Sequence, residues 1–150
     1  MVDSGGNIYV FGFKNKKEGY LIYSITPGGK IRWAYHNIEI WNMQLHADMF
    51  MNAEGNIYFC KKYELASLDY NGQLRWTAPI DNGFFSPILG DRFGDIYLTG
   101  IMKSVYAYNT SGQKIFECAV EPHSQVMIGG AISADGHLYI SESTNLYCIR

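Results

Sequence analysis

One unit written four times is the strongest constraint on what this chain can fold into. Asp3-Ser4-Gly5-Gly6-Asn7-Ile8-Tyr9-Val10 returns as Asn52 to Phe59, as Asp91 to Leu98 and as Ser133 to Ile140. A second segment, Tyr23 to Trp33, returns as Ala66 to Trp76 and as Tyr106 to Phe116, and begins again at Tyr147. From Tyr23 the steps to Ala66, Tyr106 and Tyr147 are 43, 40 and 41 residues. A period near forty made of strand-forming residues predicts a propeller or a related array. The units run over about 1–36, 37–79, 80–120 and 121–150 of a single domain.

Each unit divides into four short segments. Gly-Asn-Ile-Tyr and its variants start one strand, with glycine supplying the positive φ of the turn before it. The Tyr-x-Ile/Leu segment is a second strand. Gly28-Gly29, Asn71-Gly72 and Ser111-Gly112 turn tightly into a third, which ends at Trp33, Trp76 or Phe116. A fourth stretch precedes the next Gly-Asn-Ile-Tyr and includes Leu45 to Met51, Phe84 to Leu89 and Val126 to Ile132. Runs such as Ile8-Tyr9-Val10-Phe11 are apolar at successive positions, the pattern of a sheet covered on both faces. The fold class predicted is all-β: a β-propeller of four-stranded antiparallel blades, about three and a half to four of them. Trp33, Trp76 and Phe116 are the expected anchors between neighbouring blades.

In propeller order the innermost strand precedes Gly-Asn-Ile-Tyr. The first unit lacks that strand and the last stops before its outermost one, giving three strands, four, four and three. The expectation is an arc, or half, of a larger ring of about seven or eight blades, closed by self-association or by the rest of a longer protein.

Leu21 to Trp33 and Leu65 to Trp76 resemble the repeat of PQQ-like (quinoprotein-like) β-propellers, and the similarity runs over essentially the whole chain. The quinoprotein dehydrogenases of that family carry a tryptophan-docking motif with Ala first, Asp third, Thr sixth, Gly seventh, Lys eighth and Trp last. Here Gly29, Gly72 and Gly112 hold the seventh place, and Trp33 and Trp76 the last. Ile25, Leu68 and Tyr108 stand where the motif has Asp, and Gly28, Asn71 and Ser111 where it has Thr. Outside those places only Ala66 and Lys30 match, and the adjacent cysteines found beside the quinone in some of the enzymes are missing. The resemblance therefore implies the fold and a branch without enzymatic activity, like the outer-membrane assembly lipoprotein, with no quinone or other cofactor.

Composition narrows the partners. Hydrophobic residues make up 47%, enough to build a core, while 12 basic against 14 acidic residues leave a net charge of −2. That balance offers no surface for nucleic acid or anionic lipid. No stretch approaches the ~20 apolar residues of a membrane span, and no signal peptide precedes the first repeat. The sequence as it stands reads as soluble, and a periplasmic or cell-surface parent is compatible with it. Cys60, Cys118 and Cys148 are odd in number and fall on different units, which argues for thiols rather than disulfides.

Candidate ligand-facing residues come from the stretches that would line the channel or its rim: His46, Asp48, Ser86 and His123. His46 and Asp48, two apart, share one strand face and could orient one another or a metal. No third ligand supports them, Asp48 aligns with Pro87 and Gly129, and no Gly-x-Ser-x-Gly elbow accompanies Ser86, so no catalytic, cofactor or metal residue is assigned. His137, at a turn, is expected to be exposed. The function expected is a non-catalytic, protein-binding scaffold. Part of a quinone-dependent oxidoreductase ring, or the ligand-sensing domain of a signalling protein, are the alternatives.

Overall fold

A computed structural model describes residues 1–15, 19–38, 48–61, 63–80, 85–100, 104–119, 127–142 and 145–149. Fourteen strands form four antiparallel sheets, with no helix among the described residues. The first sheet holds β1 (Ile8–Asn15), β2 (Gly19–Ile25) and β3 (Ile31–Ile38). The second holds β4 (Met49–Met51), β5 (Ile57–Lys61), β6 (Glu64–Leu68) and β7 (Leu74–Pro79). The third holds β8 (Phe85–Gly90), β9 (Ile96–Gly100), β10 (Ser104–Tyr108) and β11 (Lys114–Ala119). The fourth holds β12 (Met127–Ile132), β13 (Leu138–Glu142) and β14 (Leu146–Ile149). Among the described residues the sheets therefore have three, four, four and three strands, each a meander in chain order. The all-β propeller architecture expected from the repeat stands.

The turns explain why the period is so regular. Asp3, Asn52 and Asp91 each accept two backbone N–H groups on one side-chain oxygen, two and four residues ahead. Ser133 takes the same place through its hydroxyl, which accepts from the His137 N–H. In the hairpins that close the outer strands, Asp69 and Asn109 again accept two N–H groups on one oxygen, and Thr26 accepts from Lys30 N–H. These side chains offer the backbone a ready-made turn, so each strand pair begins at a fixed point and its register follows. Asn109, which opens a formal glycosylation sequon, is engaged in this turn.

The core lies between sheets. Tyr9 and Ile22 of the first sheet pack on Ile57, Phe59, Ala66 and Leu68 of the second, all fully buried. Tyr58, Leu65 and Ala78 of the second pack on Ile88, Ile96, Leu98, Tyr106 and Tyr108 of the third. Val105 of the third meets Leu138 and Ile140 of the fourth. Each large side chain so buried stabilises the fold by about 1.5–3 kcal/mol, and both faces of the inner sheets are covered, hence the successive apolar positions.

β8 packs against both β4 and β12, strands of different sheets. Three sheets can meet edge to edge in this way only around a common axis, so β4, β8 and β12 are the innermost strands. Among the described residues the first sheet has no strand in that place; Val2 makes an isolated bridge to Ile8. The fourth has no outer strand beyond β14 among the described residues.

Candidate interaction site

One joint recurs between consecutive sheets. The Trp33 indole of β3 lies on Gly72 in the β6–β7 hairpin, and its Nε1–H donates to Tyr70 O at 3.0 Å. The Trp76 indole of β7 lies in the same way on Gly112 in the β10–β11 hairpin, with Nε1 2.9 Å from Thr110 O. A Cβ on Gly72 or Gly112 would come within 2.6 or 2.7 Å of the ring, and both glycines have positive φ, +79° and +83°. Only glycine satisfies the turn and the stacked indole together.

Beside each indole sits an arginine network. Arg32 Nη1 donates to Tyr9 OH and Ser24 Oγ, both at 3.0 Å, and its guanidinium lies 4.3 Å above the centre of the Tyr70 ring across the joint. Arg75 Nη1 donates to Ser67 Oγ at 3.0 Å and Tyr58 OH at 3.3 Å, and Nη2 reaches Thr110 O at 3.3 Å. Tyr9, Tyr58, Ser24 and Ser67 are fully buried, so these bonds satisfy groups that would otherwise be costly to leave in the core. In the third unit the partners change together: Ala107 stands for serine and Ile115 for arginine. There Tyr97 donates to Asp91 Oδ2 at 3.2 Å, and burial pushes its phenol up to about 12.

At the two ends of the arc the joint is split. On the first sheet Ile8 and Val10 occupy positions equivalent to Ile57 and Phe59 but are 39% and 36% exposed, where those two are fully buried. The Thr26–Lys30 hairpin repeats the indole seat: Gly29 has φ +80°, and nothing lies within 4 Å of where its Cβ would be. On the fourth sheet Tyr139 and Cys148, equivalent to Tyr9 and Ser24, are exposed, as is Leu146. One end thus presents a vacant seat beside exposed apolar residues, and the other an exposed sheet face without an indole among the described residues.

The residues expected at the channel fare differently. His46 and His123 lie outside the described residues. Ser86 is on β8, its side chain outside the description, and Asp48 is exposed just ahead of β4. Among the described residues no cluster of His, Cys, Asp or Glu could hold a metal ion. Asp48 adds to the burial that pushes the Cys60 thiol up, which keeps that cysteine protonated and unreactive. Cys60 and Cys118 are half-buried and Cys148 exposed, all as free thiols. Trp33 and Trp76 sit in the joints just described, and Phe116 is 38% exposed on β11. His137 is half-buried rather than exposed, its Nδ1 being sealed beside Asp135 Oδ2 at 2.9 Å.

A cleft of about 620 Å³ opens between the first turns of the first two units, lined by Met1, Asp3, Gly5, Asn52, Glu54 and Tyr70. Its Asp3 carboxylate already accepts bonds from Asn7, Gly5 and Tyr9, which hold its pKa down to about 2. The arginine networks were missed from sequence, although Arg-Trp at 32–33 and again at 75–76, with serine at 24 and 67, spells them out.

No family model and no curated relative matches the chain. Solved structures match throughout its length. Virginiamycin B lyase from Staphylococcus aureus superposes with a TM-score of 0.76 at 16% identity, covering 99% of this chain and 50% of the lyase. A catalytically inactive variant of that lyase with quinupristin gives 0.75 at 18% identity, with the same coverage. The extracellular domain of a hybrid two-component system from B. thetaiotaomicron gives 0.57 at 13%, covering 99% of this chain and 23% of that one. The chain is a β-propeller. It spans about half the length of the lyase structures it matches. The expectation that the chain is no enzyme is overturned as it was drawn, since structures of a lyase share this fold at 16–18% identity. The expectation rested on missing motifs along single strands, whereas a propeller assembles its sites from loops of several blades and the same fold hosts many chemistries.

Proposed function

We propose that the chain is a half-ring β-propeller module of the PQQ-like kind that docks a second propeller half through its two end faces. The observation that carries this reading is the split joint. Ile8, Val10 and the vacant Gly29 seat are one half, and Tyr139, Cys148 and Leu146 the other. Between units inside the arc, the counterparts Ile57, Phe59, Tyr9, Ile22 and Ser24 are fully buried. A second copy of the chain would set its fourth sheet against Ile8 and Val10 and its first sheet against Leu146, and two arcs give a ring of about eight blades.

Sedimentation equilibrium of the purified chain tests the proposal. The expected result is a reversible species of twice 17.0 kDa, dispersed by Val10→Glu on the first sheet. A chain that stays at 17.0 kDa up to about 1 mM, where binding is worth only about 4 kcal/mol, overturns docking between copies.

A further inference from the structure

We propose that Asn71-Gly72, at the joint between the first two sheets, is a self-modification site: the Asn71 amide cyclises onto the Gly72 nitrogen, and the seated Trp33 indole holds that reaction off. The site lies inside the chain, so it goes beyond docking between copies and does not depend on it.

Chemistry selects the pair. The Gly72 nitrogen gives up its proton and bonds to Asn71 Cγ, the amide nitrogen of Asn71 leaves as ammonia, and a succinimide ring remains. Water then opens either carbonyl of the ring, leaving aspartate or isoaspartate at 71. A side chain on the attacking residue would crowd that nitrogen, and glycine has none. The missing Cβ that admits the indole is therefore also what makes Gly72 reactive. The hairpin itself does not require asparagine, since Gly28-Gly29 and Ser111-Gly112 hold the same two places in the first and third units. Asn71 is exposed, and the side-chain bonds of its turn run to Asp69 rather than to the Asn71 amide.

In the folded chain the geometry opposes ring closure. Gly72 N–H donates to Asp69 O at 3.0 Å, and Asn71 N–H and Gln73 N–H both donate to Asp69 Oδ1 at 2.8 Å. The attacking nitrogen is thus engaged within the turn. To reach Asn71 Cγ the peptide between the two residues must rotate, and the Trp33 indole lies against it, 2.6 Å from where a Gly72 Cβ would stand. That indole is pinned by its own bond to Tyr70 O at 3.0 Å. Arg32, stacked on the Tyr70 ring, and Asn7, donating to Tyr70 OH at 2.9 Å, hold the residue before Asn71 to the first sheet. Cyclisation therefore waits on local opening of this joint. The isoaspartate product lengthens the main chain by one carbon just ahead of Gly72, which displaces the seat and makes the opening permanent.

The test incubates the full chain in mildly alkaline buffer with and without urea and follows residue 71 by peptide mapping, which separates it from Asn82-Gly83. Conversion is expected to be at least about tenfold slower in the folded chain, an opening free energy of about 1.4 kcal/mol or more. Trp33→Phe copies Phe116 of the third unit and removes the bond to Tyr70 O. It should raise the folded rate about fivefold, the worth of one hydrogen bond. Trp76→Phe, at the other joint, should leave the rate unchanged. Equal rates with and without urea overturn the gate, as does an equal response to the two substitutions; no conversion in urea overturns the site itself. A second readout needs no tryptophan variant: emission of the native chain should move to the red in step with conversion, and Asn71→Ser, which copies the third unit, should abolish the drift. Emission that stays constant through full conversion, or a drift that survives in Asn71→Ser, overturns the unseating of Trp33.

Discussion

At Gly72 a single hydrogen stands between a turn and a clash, and Gly29 isolates the two contributions. Alanine at Gly29 meets only the left-handed backbone, a cost of about 1–2 kcal/mol. Alanine at Gly72 meets the Trp33 ring as well, adding about 1–3 kcal/mol of overpacking. Urea denaturation should therefore rank Gly72→Ala well below Gly29→Ala; equal losses would deny the indole its seat. Asp3 makes a second test. Its side-chain bonds, first with Asn7, set the folded pKa near 2 against 3.8 for the free group. The folded state then holds fewer protons, so this contribution is complete above pH 3.8 and fades as pH falls through 2. Thermal melts should show a slope in that window that Asp3→Asn flattens. The turn residues were legible in sequence because Asx and Ser/Thr turns are local. The indole seats were legible only as a glycine and a tryptophan of unknown relation, since their contact spans thirty-nine residues from Trp33 to Gly72.

Among the elements, the outer strands differ most in what they carry. β3 and β7 bring Arg-Trp, whereas β11 brings Ile115-Phe116. Arginine and serine behave as a matched set, since removing Arg75 strands a buried Ser67 hydroxyl at a cost of about 1–3 kcal/mol. Arg75→Ile alone should destabilise strongly, and Ser67→Ala added to it should recover part of the loss, reproducing the third unit. A double-mutant cycle measures this; strict additivity would show the two residues to be independent. Strand existence and order could be read from the sequence because each unit repeats its turn signals. The coupling across strands could not, because serine and arginine lie eight residues apart and meet only once register is set.

For the whole molecule, the end faces expose apolar side chains, Ile8 and Val10 at one end and Leu146 at the other. Docking between arcs should accordingly resist salt, with the midpoint of association little changed between about 0.1 and 1 M sodium chloride, although that range shrinks the Debye length from about 10 to 3 Å. Light scattering across the series checks this, and a steep loss of association would assign the interface to charge. The sheet count of three, four, four and three was readable from the repeat, but which faces the sheets turn outward was not, because burial depends on neighbours that lie a full unit away. The channel candidates show the same limit: their place was inferred from strand order, while their chemistry depends on loops that the repeat does not constrain. The joint has a direction, since each indole reaches forward onto the next sheet's hairpin and the vacant Gly29 seat lies at one end. Copies joined through it would all point the same way, like links hooked head to tail. Such a series ends only if its accumulated turn brings the last copy back to the first; a small error in pitch would instead give an open helix of no fixed length. The angle between neighbouring sheets is thus what separates a finite particle from a fibre.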